Sequence, residues 1–218
     1  MIESPLLKDI DEETFANLTK LGLVTVSNFE SNEAIFNIGD KVESIGIVAA
    51  GSVVIENIDL WGHKSILAKI GAGGAFAETY ALCKAPLQVR VVASTKSEIC
   101  FLQMSKIMSE SYRECNWRKT LMDNLLSVAL RKTLTLSTRI FCTSPKSVRG
   151  RVLAFLSSES ISNNSLTFNI QFSRQEMADY LNLDRTALSR VLSEMKAEGI
   201  IDYYKNTFKI LSTEHFDI

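Results

Sequence analysis

The chain has 218 residues, 46% of them hydrophobic, with 24 Lys and Arg against 25 Asp and Glu, a net charge of −1. This balance excludes an intrinsically disordered chain, which needs few apolar residues and a large net charge, and a fibrous one. The length allows one large domain or two small ones, each able to bury a core without disulfides or metals.

The first thirteen residues include Glu3, Asp9, Asp11, Glu12 and Glu13, where a secretory leader would be basic and then apolar. The longest uncharged apolar stretch, 44–55, is broken by Gly46 and Gly51 and falls well short of the roughly 20 residues a membrane-spanning helix needs. A soluble, cytoplasmic protein without a membrane partner is expected. Cys83, Cys100, Cys115 and Cys142 match no metal-ligand or disulfide spacing, so they are read as reduced structural thiols, and no metal is expected.

Eight of the ten glycines lie between Gly22 and Gly74. There, short apolar runs (IGIVAA, SVVIENI, SILAKI, VRVVAS, EICFLQ) alternate with turn signals at 37–40, Gly51, 59–62 and 71–74, which predicts an antiparallel sandwich or roll. From Ser105 to Thr143 there is no Gly or Pro, a stretch that would give roughly 55 Å of helix if unbroken. Met122, Leu126, Ala129, Thr133, Leu136 and Ile140 follow a 4,3 spacing, with Leu121, Leu125 and Val128 beside them. Such a helix can pack on its own domain with one face and on a second copy with the other. One wide core-facing stripe is the alternative. Pro145 ends the helix, and 143–146 reads as a hinge.

Beyond the hinge the sequence predicts a helix over about 147–158, a polar loop through Asn163 and Asn164, and a strand in SLTFNIQF. Ser173 and Glu176 form a capping box opening a helix to about Leu181, and Asp184 caps a second helix ending at Gly199. A hairpin turning at Lys205 and Asn206 follows, which makes a winged helix-turn-helix. Met177, Ala178, Leu181, Leu183, Leu188, Val191, Leu192 and Met195 form its apolar faces. Arg185, Thr186, Ser189 and Arg190 are left on the outer face of the second helix, where a guanidinium fork can reach guanine O6 and N7. Arg174, Lys196 and Lys205 are placed for backbone phosphates. Nine basic and nine acidic residues over 143–218 give no broad basic field, so the expectation of double-stranded DNA rests on local placement.

The two halves together resemble the cAMP receptor protein and FNR (Crp/Fnr) family of bacterial transcription regulators over nearly the whole chain. IGDKVESIGIVAAGSVVI, Gly62 and GAGGAFAETYALCKAPLQVRVVA are similar to that family's cyclic-nucleotide-binding β-roll and phosphate cassette, and RQEMADYLNLDRTALSRVL to its helix-turn-helix. The resemblance implies an α+β chain: a jelly-roll-type antiparallel effector domain over 1–105, a long dimerisation helix over 106–142 carrying Met122, Leu126, Ala129 and Leu136, and a winged helix-turn-helix over 143–218. It also implies an allosteric homodimer reading an inverted repeat, with RNA polymerase as a further partner.

Members of the family that bind cyclic nucleotides carry Phe, Gly and Glu, then Pro, Arg and a small residue. Here Phe76, Glu78 and Pro86 stand, but Ala77 replaces the glycine, Leu87 the arginine and Gln88 the small residue. A buried cyclic phosphate needs a paired cation, and Arg90, three residues on and roughly 10 Å along a strand, faces the other side. cAMP and cGMP are therefore not expected as effectors. Another small molecule, with Glu78, Tyr80 and Gln88 at its mouth and Thr133 or Ser137 closing it, is the expectation, against a filled roll that binds nothing.

No cysteine precedes Cys83 to hold an iron–sulfur cluster, and His63 alone is a weak haem ligand, so no cofactor is assigned. The alternative function is an effector-sensing or redox-responsive module, the latter through one of the cysteines, that acts through protein partners with a degenerate helix-turn-helix. Catalysis has no support: His63 and His215 are the only histidines, neither beside a recognisable nucleophile, and 71–74 leads into Ala-Phe-Ala rather than a phosphate-loop lysine. Ser189 and Arg190 resemble the FNR branch, while Thr186 stands where many members carry glutamate, so the half-site should differ at that base pair.

Overall fold

A computed structural model of the chain describes residues 2–58, 64–170 and 172–212. The chain divides into two compact units, Met1–Ala129 and Leu130–Ile218.

The first unit is built on two four-stranded antiparallel sheets. Strands β1 (Val24–Phe29), β8 (Ser97–Gln103), β3 (Ser44–Ala50) and β6 (Ala75–Phe76) form one, in that order. The other, also in spatial order, is β2 (Ala34–Phe36), β7 (Arg90–Ala93), β4 (Ser52–Ile58) and β5 (Lys64–Gly71). Between the sheets lie Val48, Val53, Phe76, Val91, Ile99 and Phe101. The first sheet is also covered on its other face, where Ile45, Ile47, Cys100 and Leu102 meet Leu6, Leu7 and Ile10, Leu18 of helix α1 (Glu12–Lys20) and the residues discussed next. This double burial is why β8 reads as the unbroken apolar run ICFL rather than an alternation. Gly46 on β3 is required by packing, since a Cβ there would collide with the Phe76 ring.

The helical stretch read from Ser105 onward is broken into pieces. A short α3 (Met104–Ile107) and a 3-10 turn at Glu110–Tyr112 precede α4 (Asn116–Thr143). Propensity would carry a helix through this stretch, but burial overrides it. Met104 and Ile107 are locked into the core of the first unit, as are Leu121 and Leu125. Satisfying both sets requires the chain to turn between them. Tyr112 packs on Trp117 with ring centroids 5.5 Å apart, and Arg118 Nη1 donates to the Ser109 carbonyl at 3.2 Å, closing the turn. Asn124 Nδ2 donates to the carbonyls of Lys8 and Leu6 at 2.6 and 3.2 Å, anchoring the first half of α4 to the N-terminal segment.

The second unit contains the end of α4, then α5 (Val148–Asn163), β9 (Thr167–Asn169), α6 (Arg174–Tyr180), α7 (Arg185–Ala197), β10 (Ile201–Tyr204) and β11 (Thr207–Ile210). The strands form one antiparallel sheet in the order β10-β11-β9. Its core gathers Cys142, Val152, Phe155, Leu156, Phe168, Met177, Leu181, Leu188, Leu192, Met195 and Phe208. Helix α5 is longer than its sequence suggests, continuing through Glu159 to Asn163 and stopping at Asn164, which takes a left-handed conformation with φ 47°.

The segment read as a hinge, 143–146, makes several hydrogen bonds. Arg151 Nε donates to the Pro145 carbonyl at 2.9 Å, and Ser144 bonds the Ile140 carbonyl through both N and Oγ. Ser147 caps α5 by accepting from Gly150 N at 2.9 Å, and a Cβ on Gly150 would meet Pro145 Cβ at 2.9 Å.

Candidate functional site

Helices α6 and α7 with the β10–β11 hairpin are the chemically distinctive part of the second unit. Ser173 and Glu176 close the expected capping box, Ser173 N donating to Glu176 Oε2 at 2.7 Å and Glu176 N to Ser173 Oγ at 3.2 Å. The Glu176 carboxyl sits below its ordinary range because those Ser173 groups favour its charged form. Asn182 then adopts a left-handed conformation, φ 52°, and the amides of Leu183 and Asn182 bond the carbonyls of Ala178 and Asp179, a Schellman end that turns the chain sharply. Asp184 opens α7 by accepting from the amides of Thr186 and Ala187 at 2.8 and 3.1 Å, which hold its carboxyl below the usual value.

On α7, Leu188, Val191, Leu192 and Met195 are buried. Arg185, Thr186, Ser189 and Arg190 are exposed, on an arc of roughly 140° opposite the buried stripe at 100° per residue. The Arg190 side chain is 73% exposed, and its ion pair with Glu194 is long, at 3.7 Å. Ser193, whose Oγ donates to the Ser189 carbonyl, falls on the same arc. It was not singled out in the sequence, although its four-residue spacing from Ser189 marks it.

The three cations expected on phosphates are placed differently from one another. Lys205 is exposed at the hairpin turn, its Nζ 5.6 Å from the centroid of the Tyr204 ring. Lys196 Nζ is engaged with Asp202 Oδ1 at 2.6 Å and the Tyr203 carbonyl at 3.2 Å. Arg174 is half-buried, its Nη2 donating to the Lys205 carbonyl at 2.6 Å. A surface cleft of about 780 Å³ runs beside it, lined by Asn169, Arg174, Tyr203, Tyr204, Lys205, Asn206 and Thr207.

Two arginines that the sequence did not mark hold the turn between the helices. Arg139, near the end of α4, donates through Nε to the Tyr180 carbonyl at 3.2 Å and stacks 5.5 Å over the Tyr180 ring. Arg151 Nη1 donates to the carbonyls of Leu181 and Asn182 at 3.2 and 3.0 Å. Both place positive charge at the carbonyl end of α6, where the helix dipole favours it. Arg149 forks onto Glu198 at 2.9 and 2.5 Å, fixing the other end of α7 to α5.

In the first unit, the segment that resembles the cassette has a left-handed bend and carries Leu87 where the resemblance would put an arginine. Ala77 sits at φ 65°, the left-handed bend that a glycine would take freely, before α2 (Glu78–Cys83). Leu87 is 2% exposed and packed into the core, its amide donating to the Asp40 carbonyl at 2.9 Å. Arg90 is paired with Glu56 at 3.2 Å across β7 and β4. Of the residues expected to line an effector pocket, Glu78 is buried, Tyr80 half-buried against the core and Gln88 exposed. Thr133 and Ser137 are exposed on the part of α4 that belongs to the second unit.

Cys100 and Cys142 are buried, and burial pushes the Cys100 thiol up to about 12 and raises that of Cys142. Cys83 is exposed. His63, His215 and Gly62 lie outside the described residues. Among the described residues no cluster of His, Cys, Asp or Glu could hold a metal ion, and no helix is long and apolar enough to cross a membrane.

An antiparallel roll carrying a phosphate-cassette bend, followed by a long helix and a winged helix-turn-helix, defines a DNA-binding regulator with a sensor domain. The sequence matches the cyclic nucleotide-binding domain over residues 26–110 and the Crp-like helix-turn-helix domain over residues 150–216, together well over half of the chain. The chain belongs to the Crp/Fnr family of transcription regulators. Among solved structures it is similar to the catabolite activator protein of Thermus thermophilus, with 24% identity and a TM-score of 0.51, covering 95% of this chain and 93% of that one. It is also similar to CprK in complex with OCPA, with 16% identity, a TM-score of 0.66 and 92% of each chain covered. A CooA mutant from Carboxydothermus hydrogenoformans matches with 16% identity and a TM-score of 0.63, over 96% of this chain and 92% of that one. These likenesses establish the fold. No curated protein sequence matches the chain.

Proposed function

We propose that the protein is a homodimeric, sequence-specific regulator that reads an inverted repeat with Arg185, Thr186, Ser189 and Arg190 of α7. The carrying observation is the exposed polar arc of α7, capped by Asp184 and set opposite a fully buried stripe. Arg185 and Arg190 supply bidentate donors for guanine, and Thr186 and Ser189 supply single hydroxyls for a base or a phosphate. Dimerisation uses the exposed apolar face of α4 around Leu126, Ala129 and Leu136. Two copies of α7 then stand about one turn of DNA apart, roughly 34 Å, and RNA polymerase meets the DNA-bound dimer.

The effector is a small molecule other than cAMP or cGMP, taken up in the roll near Glu78 and Tyr80. Support comes from Leu87, which fills the core where a phosphate would need a cation, and from Arg90, already neutralised by Glu56. Titrating cAMP into the protein in a calorimeter should give no micromolar binding, and such binding would overturn this part of the reading. For DNA, selection of bound fragments from the source genome at near-physiological salt should enrich an inverted repeat. Arg190→Ala should lose that enrichment, at a cost of about 1–3 kcal/mol in specific affinity. A fragment pool that Arg190→Ala enriches equally well would point away from base reading by α7.

A further inference from the structure

We propose that Arg174 does not touch DNA but is the strut that sets the wing, so that Lys205 alone makes the backbone contact at the hairpin turn. The proposal rests on the DNA-binding reading and assigns the charge on this side of the unit to one residue rather than two.

The guanidinium of Arg174 is turned into the unit. Its Cζ stands 4.8 Å from the centroid of the Phe208 ring and 5.2 Å from that of Tyr203, both on the wing strands. Its Nη2 donates to the Lys205 carbonyl at 2.6 Å, while Nη1 is buried without a hydrogen-bond partner among the described residues. A planar, weakly hydrated guanidinium can lie between two aromatic faces and still donate from its edge, which is why an arginine can occupy this place. What it holds is a conformation the chain would otherwise avoid: Lys205 has φ 51°, left-handed for a residue with a Cβ. The turn between Tyr204 and Thr207 is only two residues long, so fixing the Lys205 carbonyl fixes where the Lys205 side chain emerges. Lys205 itself is exposed, and beside it Tyr204 is 76% exposed. Arg174 also borders the open cleft under the wing, so a phosphate can approach it, and direct contact is the competing reading that an experiment must separate.

Salt dependence separates them, because each phosphate neutralised by a cation steepens the fall of log K with log salt by roughly 0.9 on duplex DNA. The full chain and the variants Arg174→Lys, Lys205→Gln and their combination are titrated with a DNA duplex over a range of salt. If Arg174 is a strut, Lys205→Gln flattens the slope by roughly 0.9 per half-site. Arg174→Lys flattens it as well, although it keeps the charge, because the lysine side chain ends one bond short of the Nη2 position and cannot reach the Lys205 carbonyl from between the two rings. The double variant then shows no further change. If Arg174→Lys keeps the wild-type slope, or the double variant flattens it by the sum of two separate contacts, Arg174 binds phosphate directly and the proposal falls. Unchanged amide exchange in α7 confirms that each variant is folded. A protein that binds no duplex of any sequence defeats the DNA-binding reading and this one with it, whereas a preserved slope in Arg174→Lys defeats the strut alone.

Discussion

Ala77 holds a left-handed conformation, φ 65°, at the entry to α2, and a Cβ there costs roughly 1–2 kcal/mol that a glycine would not incur. Glycine in turn loses roughly 0.5–1 kcal/mol through the freer unfolded chain. Ala77→Gly should therefore stabilise the first unit by about 0.5–1 kcal/mol, seen as a higher denaturant midpoint with an unchanged slope. A lower midpoint would mean that the Ala77 methyl packs usefully. The residue pattern already marked Ala77 as a departure from the cassette, but only the backbone angle shows that Ala77 itself takes a left-handed bend.

Cys100 presents a second residue-scale consequence. Its folded thiol ionises near 12 because burial penalises the thiolate, against about 9 for a solvated cysteine. Its folded pKa lies above its unfolded one, so the stabilisation is fully present below about 9 and is lost as pH rises from there toward about 12. Denaturation at graded pH should show the first unit weakening over that window, and Cys100→Ala should remove part of the slope. In the native protein, a thiol reagent should label exposed Cys83 quickly and buried Cys100 and Cys142 only on unfolding. Fast labelling of Cys100 would contradict its burial and reopen a redox role.

At the scale of elements, the turn between α6 and α7 is set by side chains remote in sequence. Arg139 comes from α4 and Arg151 from α5, and both bond the carbonyls that end α6. Arg139→Ala removes charge-assisted bonds and a cation–π contact, so it should cost roughly 1–3 kcal/mol in the second unit. Hydrogen exchange should show this as faster exchange of the α6 amides, and unchanged protection there would show the contact to be energetically idle. Nothing in a helical pattern announces such residues, because an arginine on a polar helix face looks the same whether it meets solvent or a carbonyl three elements away. The capping box, the Asp184 cap and the Gly199 stop were legible because their partners lie within a few residues. The end of α5 was not: Glu159 to Asn163 are polar enough to read as loop, yet the helix continues through them.

Helix α4 shows the same division within one element. Its pattern of two apolar stripes was visible, and the structure assigns Leu121 and Leu125 to the core, packs Met122, expected on the dimer face, against that same core, and leaves Leu126, Leu130, Leu134, Leu136, Ile140 and Phe141 exposed. Its beginning was misplaced, because the demand of two buried pairs on either side of residues 108–115 breaks a segment whose local propensity is helical throughout.

For the molecule as a whole, that exposed face is the strongest argument for a second copy of the chain. At 100° per residue, Leu126, Leu130, Leu134, Leu136, Ile140 and Phe141 fall within an arc of roughly 160°. Leu134 is 68% exposed, so replacing it removes little from the isolated chain. The double variant Leu130→Glu with Leu134→Glu should keep the fold and sediment as a monomer, while the wild type should sediment as a dimer. It should lose inverted-repeat DNA by far more than either half-site alone. If it still sediments as a dimer, the interface lies elsewhere on the surface.

Everything whose cause lies within one or two turns of chain was determined by the sequence alone: the change from period 2 to period 3.6 near residue 104, the helix caps, the polar arc of α7, and the loss of the cassette arginine at Leu87. Only the tertiary structure decided which cations are free. Arg174, Lys196 and Lys205 look alike in the sequence, and folding directs the first onto two rings and a carbonyl, the second onto Asp202, and the third into solvent. The physical reason is that a charge finds its partner through space, at distances of a few ångströms between residues tens of positions apart, and no local period records that encounter.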